Sequence, residues 1–370
     1  MVSVDTIRAY TYINIDINYL QQTKWRKWVC KNNTISYFKK YGALLFWYYP
    51  HGVLLIKFSV PKFFYGTNAM PFNLDHAGLL VKLVNQKIKM LFPNIPIKSF
   101  EDWICTEIHP FIHYSMANEK DKMIYLDCFK KMQYPRLKKR IFATGMQARN
   151  GSYALNIYSK YDEVKSRVTN KSYPASNEDI ILLDGLKNVL RFEYQVKKAY
   201  LRRRYKNNRT IKDVLTKQFC RNLLLDAIKK VGLVNRFLHK DEVLKKIENE
   251  FGKVKACNLI KFIIDLNETP LDFVNAKYPK KTRENYIREL KTKGINPIYL
   301  QEKVSRKMDF AILSKQCINF SCQFLYLLLL IITSLIKWYL AYLIAAFIFI
   351  KYMTLPSVSN PPSFYLEDGG

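Results

Sequence analysis

The sequence predicts an α+β protein, with an antiparallel sheet in an N-terminal domain, a helical C-terminal domain and an apolar transmembrane segment behind them. Three observations predict it. Short stretches of alternating or β-branched and aromatic residues fill the first two hundred positions, as half-buried strands require. Amphipathic stretches with a helical period fill roughly 210–300. Phe320–Ile350 is then thirty-one residues long with a single charge, Lys337.

Taken in order, Val4–Ile15 alternates, placing Ile7, Ala9, Ile13 and Ile15 on one face and Arg8, Tyr10, Tyr12 and Asn14 on the other. Ala43–Tyr49 and Val53–Val60 read as strands around a Tyr-Pro-His-Gly turn at 49–52. Asn73–Phe92 has a helical period and stops at Pro93 and Pro96. Glu101–Tyr114 returns to strand, Lys120–Met132 reads as helix, and Gly151–Tyr158 and Val189–Val196 are further strands. Beyond Tyr200, Ile211–Gly232, Lys240–Phe251 and Val254–Leu266 are amphipathic, and Arg283–Lys293 ends at Gly294, a natural helix stop. Helices of this length joined by short turns permit a helix-turn-helix. No internal repeat is visible. The expected organisation is a first domain over 1–205, a helical domain over 210–310, a membrane segment over 318–352 and a short tail over 353–370.

A spanning helix needs about 20 apolar residues, so the terminal run accommodates one span. The basic bulk precedes it, which assigns residues before it to the cytoplasm. Seven cysteines without metal-ligand spacing, and no opening secretory signal, agree with a reducing compartment.

Charge narrows the partners. The chain has 60 Lys+Arg against 30 Asp+Glu, a formal +30. After residue 317 the only charges are Lys337, Lys351, Glu367 and Asp368, which cancel, so the whole excess belongs to residues 1–317. Such an excess concentrates polyanions near the surface, and phosphate neutralisation supplies most non-specific DNA affinity. An anionic membrane surface is the competing polyanion.

Two stretches carry candidate chemistry: Leu155-Asn-Ile-Tyr158-Ser-Lys160-Tyr-Asp-Glu163 and Leu190-Arg191-Phe-Glu193-Tyr. On a strand, Tyr158 and Lys160 face the same side. A phenol is a weak nucleophile until its proton is taken or its anion stabilised, and a neighbouring cation favours the phenolate. Arg191 and Glu193 also share a face, one suited to phosphate and the other to a cation. These are the parts of phosphodiester transesterification, and carboxylate ligands suit Mg²⁺ or Mn²⁺ better than zinc. The run Lys197, Lys198, Arg202, Arg203, Arg204, Lys206 and Arg209 follows directly and is a candidate DNA-backbone contact, with Tyr200 and Tyr205 placed to stack on a base.

In the order and spacing of these stretches the sequence resembles the replication-associated proteins of filamentous phages and related plasmids, rolling-circle initiators that nick duplex DNA. Val4-Asp5-Thr-Ile-Arg-Ala-Tyr10, Phe58-Ser-Val-Pro-Lys62-Phe-Phe-Tyr65-Gly66-Thr-Asn68, the two stretches above and Thr282–Ile295 carry the resemblance, which covers about residues 1–300. It implies a nuclease-like first domain and Tyr158 as nucleophile with Lys160 beside it. It also implies Arg191 and Glu193 as site residues, origin DNA as substrate, and a host helicase and polymerase as partners. Where the family shows Arg-Ile-Asp, this chain reads Glu107-Ile-His109. The expected metal ligands are therefore Glu193, Glu163, Glu107 and His109, with a histidine in place of a carboxylate. His109 and His113 lie too far apart on a strand, about 13 Å, to act as the paired histidines of other nickases. Three expectations follow: a metal-dependent nicking and strand-joining enzyme, a DNA-binding replication protein without catalysis, and a basic membrane-surface protein.

Overall fold

Among the described residues ten strands join into one antiparallel sheet. The computed structural model describes residues 1–305 and 308, apart from 30–33, 133, 135, 170–175, 207–208, 232 and 234–235. The strands are β1 (Val2–Tyr12), β2 (Arg26–Val29), β3 (Ile35–Tyr41), β4 (Leu44–Tyr49), β5 (Val53–Ser59), β6 (Ile104–Ser115), β7 (Lys138–Phe142), β8 (Gly145–Arg149), β9 (Tyr153–Ser159) and β10 (Val189–Lys197). Their order is β2-β3-β4-β5-β1-β6-β10-β9-β8-β7.

That order contains a repeat that the residue types do not show. Each half runs outward from the central β1–β6 pair: first strand, then fifth, fourth, third and second. In each half a helix follows the first strand, α1 (Ile17–Gln22) or α4 (Glu119–Lys131). The halves differ at one connection. β4 and β5 are joined by a tight turn, whereas β9 and β10 are separated by α5 (Lys160–Thr169) and α6 (Asn177–Leu182).

The remaining helices among the described residues are α2 (Val60–Tyr65), α3 (Ala77–Leu91), α7 (Lys198–Tyr205), α8 (Ile211–Val214), α9 (Lys217–Val231), α10 (Lys240–Glu250), α11 (Lys253–Glu268), α12 (Leu271–Lys277) and α13 (Lys280–Thr292). α4 shows why they form where they do. The Asn118 side chain accepts the Asp121 N–H at its start, acidic residues fill its first turn, and Lys130 and Lys131 fill its last, matching the helix dipole. α4 packs on β8, β9 and β10, and α9 packs on β1, β6 and β10. They bury Ile7, Ala9, Ile108, Ile157 and Phe192, one side of the central strands. The other side of the sheet is covered in part: α5 packs on β9 and β10 there, with Val164 against Leu186 and Val189, while Tyr12, Arg26, Trp28 and Lys40 stay exposed and leave the rest of that side open.

The described residues form one compact unit, with the helices from 211 onward packed into it. The expected fold needs correction on two points. The sheet is a single large one of ten strands, because β2, β3, β7 and β8 extend it on both sides beyond the strands legible in the sequence. No helix among the described residues is long and apolar enough to cross a membrane. The longest, α11, has sixteen residues and interleaves lysines with its buried positions, short of the roughly 20 apolar residues of a span. The segment 318–352 on which that expectation rested lies outside the described residues.

Candidate active site on the open face of the sheet

The site is assembled by register. Arg191 pairs with Tyr158 across β10–β9, Glu193 pairs with Asn156 on one side and with Phe111 of β6 on the other, and Arg8 of β1 pairs with Glu107. Paired residues in an antiparallel sheet share a face, so Tyr158, Glu193, Arg191, Glu107 and His109 all rise from the open side. Asp5 of β1 joins them through its ion pair with Arg191.

Tyr158 is half-buried, and its hydroxyl donates to Glu193 Oε2 at 3.2 Å. The same carboxylate lies 3.2 Å from Arg191 Nε, and its Oε1 accepts from Gln195 Nε2 at 2.8 Å and Asn156 Nδ2 at 3.4 Å. Arg191 is fully buried, with Nη2 2.8 Å from Asp5 Oδ1 and its guanidinium 3.6 Å from the centre of the Phe111 ring. A planar cation on an aromatic face is a favourable packing for arginine. It is a buried counter-charge to two carboxylates, and at zero exposure it does not reach a phosphate directly.

Glycine at 145 makes room for the tyrosine. Gly145 faces Tyr158 across β8–β9, and a Cβ there would lie 2.7 Å from the Tyr158 Cβ and 3.0 Å from the Ile157 carbonyl oxygen. Real contacts of this kind are near 3.5–4.0 Å, so any side chain at 145 moves the tyrosine.

The electrostatics divide the groups. Burial pushes the Tyr158 phenol well above its ordinary pKa; Arg191 opposes this, while Glu193, Glu163 and Asp5 add to it. Burial also acts to raise Asp5, but Arg191, the Thr6 hydroxyl, Lys160 and His109 overcome it and hold Asp5 at about 2. Glu107 behaves alike, held at about 2 against burial by its hydrogen bond to His109 and the charges of His109 and Lys57.

Lys160 stands elsewhere than a strand position predicts. β9 ends at Ser159, and Lys160 is the first residue of α5. It is buried, with Nζ 2.6 Å from Glu163 Oε2 and 3.1 Å from Asn68 Oδ1. Burial and Arg191 push its pKa down to about 8, against the pull of Glu163. Arg167 completes this second cluster, 2.9 Å from Glu163 and 2.7 Å from the Asn68 oxygen. The Phe58–Asn68 and Leu155–Glu163 stretches, far apart in the chain, therefore meet at Asn68 and Lys160.

Of the four expected metal ligands, three come together. His109 Nε2 is 2.8 Å from Glu107 Oε1, and its Nδ1 is 3.7 Å from Glu193 Oε1. Glu163 belongs instead to the Lys160 cluster. Two carboxylates and an imidazole suit a hard divalent cation in donor chemistry. As placed, however, each ring nitrogen of His109 faces a carboxylate, and no group of three or more His, Cys, Asp or Glu side chains among the described residues is arranged to hold a metal ion. His113 packs against Phe111 and is held far below its usual pKa by burial and the nearby Arg191 and Lys160.

The basic run lies at the end of β10 and along α7. Lys197, Lys198, Arg202, Arg203, Arg204 and Lys206 are exposed and Arg209 is half-buried. Tyr200 does not stack on solvent-side partners: it is buried and its hydroxyl bonds Asp226. Tyr205 packs on Phe219 at 4.6 Å. Lys197 also lines an open groove with Arg136, Lys138 and Arg149, cations that sequence reading did not single out because they come from three separate strands and a turn. Asp5, Gly145, Asn156 and Gln195 were likewise missed. Asp5 and Asn156 stand inside the stretches that resemble the replication proteins, so a signal existed for them; nothing local marks Gly145 or Gln195.

No family model and no curated protein matches the chain. Among solved structures, Methanococcus jannaschii TBP is similar over 63% of this chain and 99% of its own, at 7% identity and a TM-score of 0.32, a likeness too slight to carry an argument.

Proposed function

We propose that the protein cleaves and rejoins one strand of DNA at Tyr158, as a replication initiator of the rolling-circle kind. One observation carries the reading: a half-buried tyrosine hydroxyl donates to the Glu193 carboxylate at 3.2 Å, on an open sheet face bordered by a basic groove. Glu193 is placed to take the phenol proton as the oxygen attacks phosphorus. The Tyr158 O–P bond forms, the P–O3′ bond breaks, and the 3′ oxygen leaves and takes a proton from water. The 5′ phosphate stays on the tyrosine as a diester. Attack by a 3′ hydroxyl reverses the step and reseals the strand without a further energy source. Arg191 acts from below, stabilising the phenolate through space, with Asp5 and Phe111 keeping it in place. Lys197, Lys138, Arg149 and Arg202–Arg204 supply backbone contacts of the kind that position DNA.

Mg²⁺ or Mn²⁺ belongs to the same proposal. Glu107, His109 and Glu193 would hold it, and when bound it supplies charge against the phosphodiester oxygens. A second reading, a DNA-binding replication protein without cleavage, is favoured by the burial that holds the Tyr158 phenol protonated. The two are separated by incubating the protein with supercoiled origin DNA and Mn²⁺. The nicking reading expects a covalent protein–DNA adduct that Tyr158→Phe abolishes while duplex affinity stays nearly unchanged. Of the other tyrosines nearby, Tyr153 packs with Tyr194 and Tyr200 on the helix-covered side, and Tyr161 lies in α5. An adduct that survives Tyr158→Phe overturns the assignment.

A further inference from the structure

Outward of β1, the first half of the sheet repeats the topology of the second without its carboxylates or its nucleophile. β4 and β5 occupy there the positions that β9 and β10 occupy beside Tyr158. On the open face they show Trp47 and Lys57, and Lys57 reaches Glu107 at 3.3 Å, so the two halves form one continuous surface. Register extends the row outward to Phe38 and Lys40 on β3 and to Arg26 and Trp28 on β2. Trp28 is 65% exposed, the Phe38 and Trp47 rings lie 5.3 Å apart, and Arg26 and Lys40 are exposed. Between Asp16 and Asp75 the chain has no Asp or Glu at all, against eight Lys and Arg.

We propose that this half of the open face binds single-stranded DNA, with unpaired bases stacking on Trp28, Phe38 and Trp47 and the backbone running past Arg26 and Lys40. Exposed aromatic rings interleaved with cations, and free of carboxylates, are what a sequence-tolerant single-strand site is made of. A duplex is the poorer occupant, because its bases are already stacked on one another. An apolar protein partner is disfavoured by the uniform positive charge. Strands lie about 4.8 Å apart, so five steps, roughly 24 Å, separate β4 from β9. The wing would thus hold a strand leading away from Tyr158. The inference rests on the nicking reading only for the identity of the strand as DNA and for its direction.

The test uses the full-length chain and fluorescently labelled (dT)12. The wild type is expected to bind it, with quenching of tryptophan emission. Trp28→Ala on the exposed edge strand should weaken binding about tenfold or more, since one base stack contributes on the order of 1–3 kcal/mol, and Trp28→Phe should restore most of it. Arg26→Ala with Lys40→Ala should flatten the salt dependence by about 0.7 per lost phosphate contact. Unchanged affinity in Trp28→Ala, or a 12-base-pair duplex that competes as well as (dT)12, overturns the proposal. The two readings fail separately. If Trp28 governs (dT)12 binding while Tyr158 forms no adduct, cleavage is wrong and the wing stands. If the adduct forms and Trp28→Ala binds normally, the wing alone is wrong.

Discussion

Gly145→Ala is the sharpest perturbation of the proposed site, because the glycine touches the tyrosine and nothing in the chemistry. An added Cβ would stand 2.7 Å from the Tyr158 Cβ and 3.0 Å from the Ile157 carbonyl oxygen. Relaxing the first contact to an ordinary separation near 3.6 Å requires a shift of about 1 Å. Both atoms on the far side belong to β9 itself, so the strand carrying the tyrosine must move rather than a flexible side chain. A misplacement of about 1 Å at a reacting group can cost on the order of 100-fold in rate, while overpacking of this kind costs about 1–3 kcal/mol in stability. Two measurements on one preparation separate these effects. Adduct formation on a labelled origin oligonucleotide with Mn²⁺ should slow by about two orders of magnitude, and (dT)12 affinity, which resides in the other half of the sheet, should not change. Adduct formation at the wild-type rate in Gly145→Ala would refute the reasoning, since the strand would then be accommodating the methyl without displacing Tyr158.

The other expectations follow from the same geometry. Glu193→Gln keeps size but removes the proton acceptor and the charge that would hold the cation, so cleavage should fall sharply, and high Mn²⁺ should recover only the part due to weakened cation binding; a melting temperature of the wild type that Mn²⁺ does not raise would dismiss the metal part of the proposal. Asp5 is held at about 2 against an unfolded value of 3.8, so its ionised form stabilises the fold by about 2 kcal/mol above pH 3.8, and that contribution is lost as pH falls through about 2. Urea unfolding should therefore show a gap between wild type and Asp5→Asn at pH 7 that narrows towards pH 2; a gap independent of pH would remove Arg191 as its cause. Changing Arg202, Arg203 and Arg204 together to Ala should flatten the salt dependence of duplex binding by up to about three, one per lost phosphate contact, and an unchanged slope would take α7 out of the DNA path.

What the residues decide by themselves is local. Alternation along Val2–Tyr12, Val53–Ser59 and Val189–Lys197 is enough to make these strands and to assign their faces, because side-chain direction has a period of two in any strand. Pro93 and Gly294 mark helix ends through backbone constraints that need no partner, and the helices at 77–91, 240–250 and 253–268 follow their apolar period. The edge strands β2 and β7 escaped notice since they are exposed on both sides and show no buried alternation, as the fully exposed β2 illustrates. The spacing of Tyr158 and Lys160 suggested a shared strand face, but Ser159 ends the strand, and only the meeting of α5 with Asn68 decides that Lys160 turns away into a buried cluster. Register is likewise a property of pairs. That Gly145 faces Tyr158, that Asp5 reaches Arg191, and that His109 stands between Glu107 and Glu193 depend on strand neighbours chosen by the packing of the whole sheet. The twofold topology is the extreme case: the halves share strand order while their side chains differ, one with carboxylates around a tyrosine, the other with tryptophans among cations. No pattern of residue types records that, because strand order is fixed by which edges find each other in three dimensions.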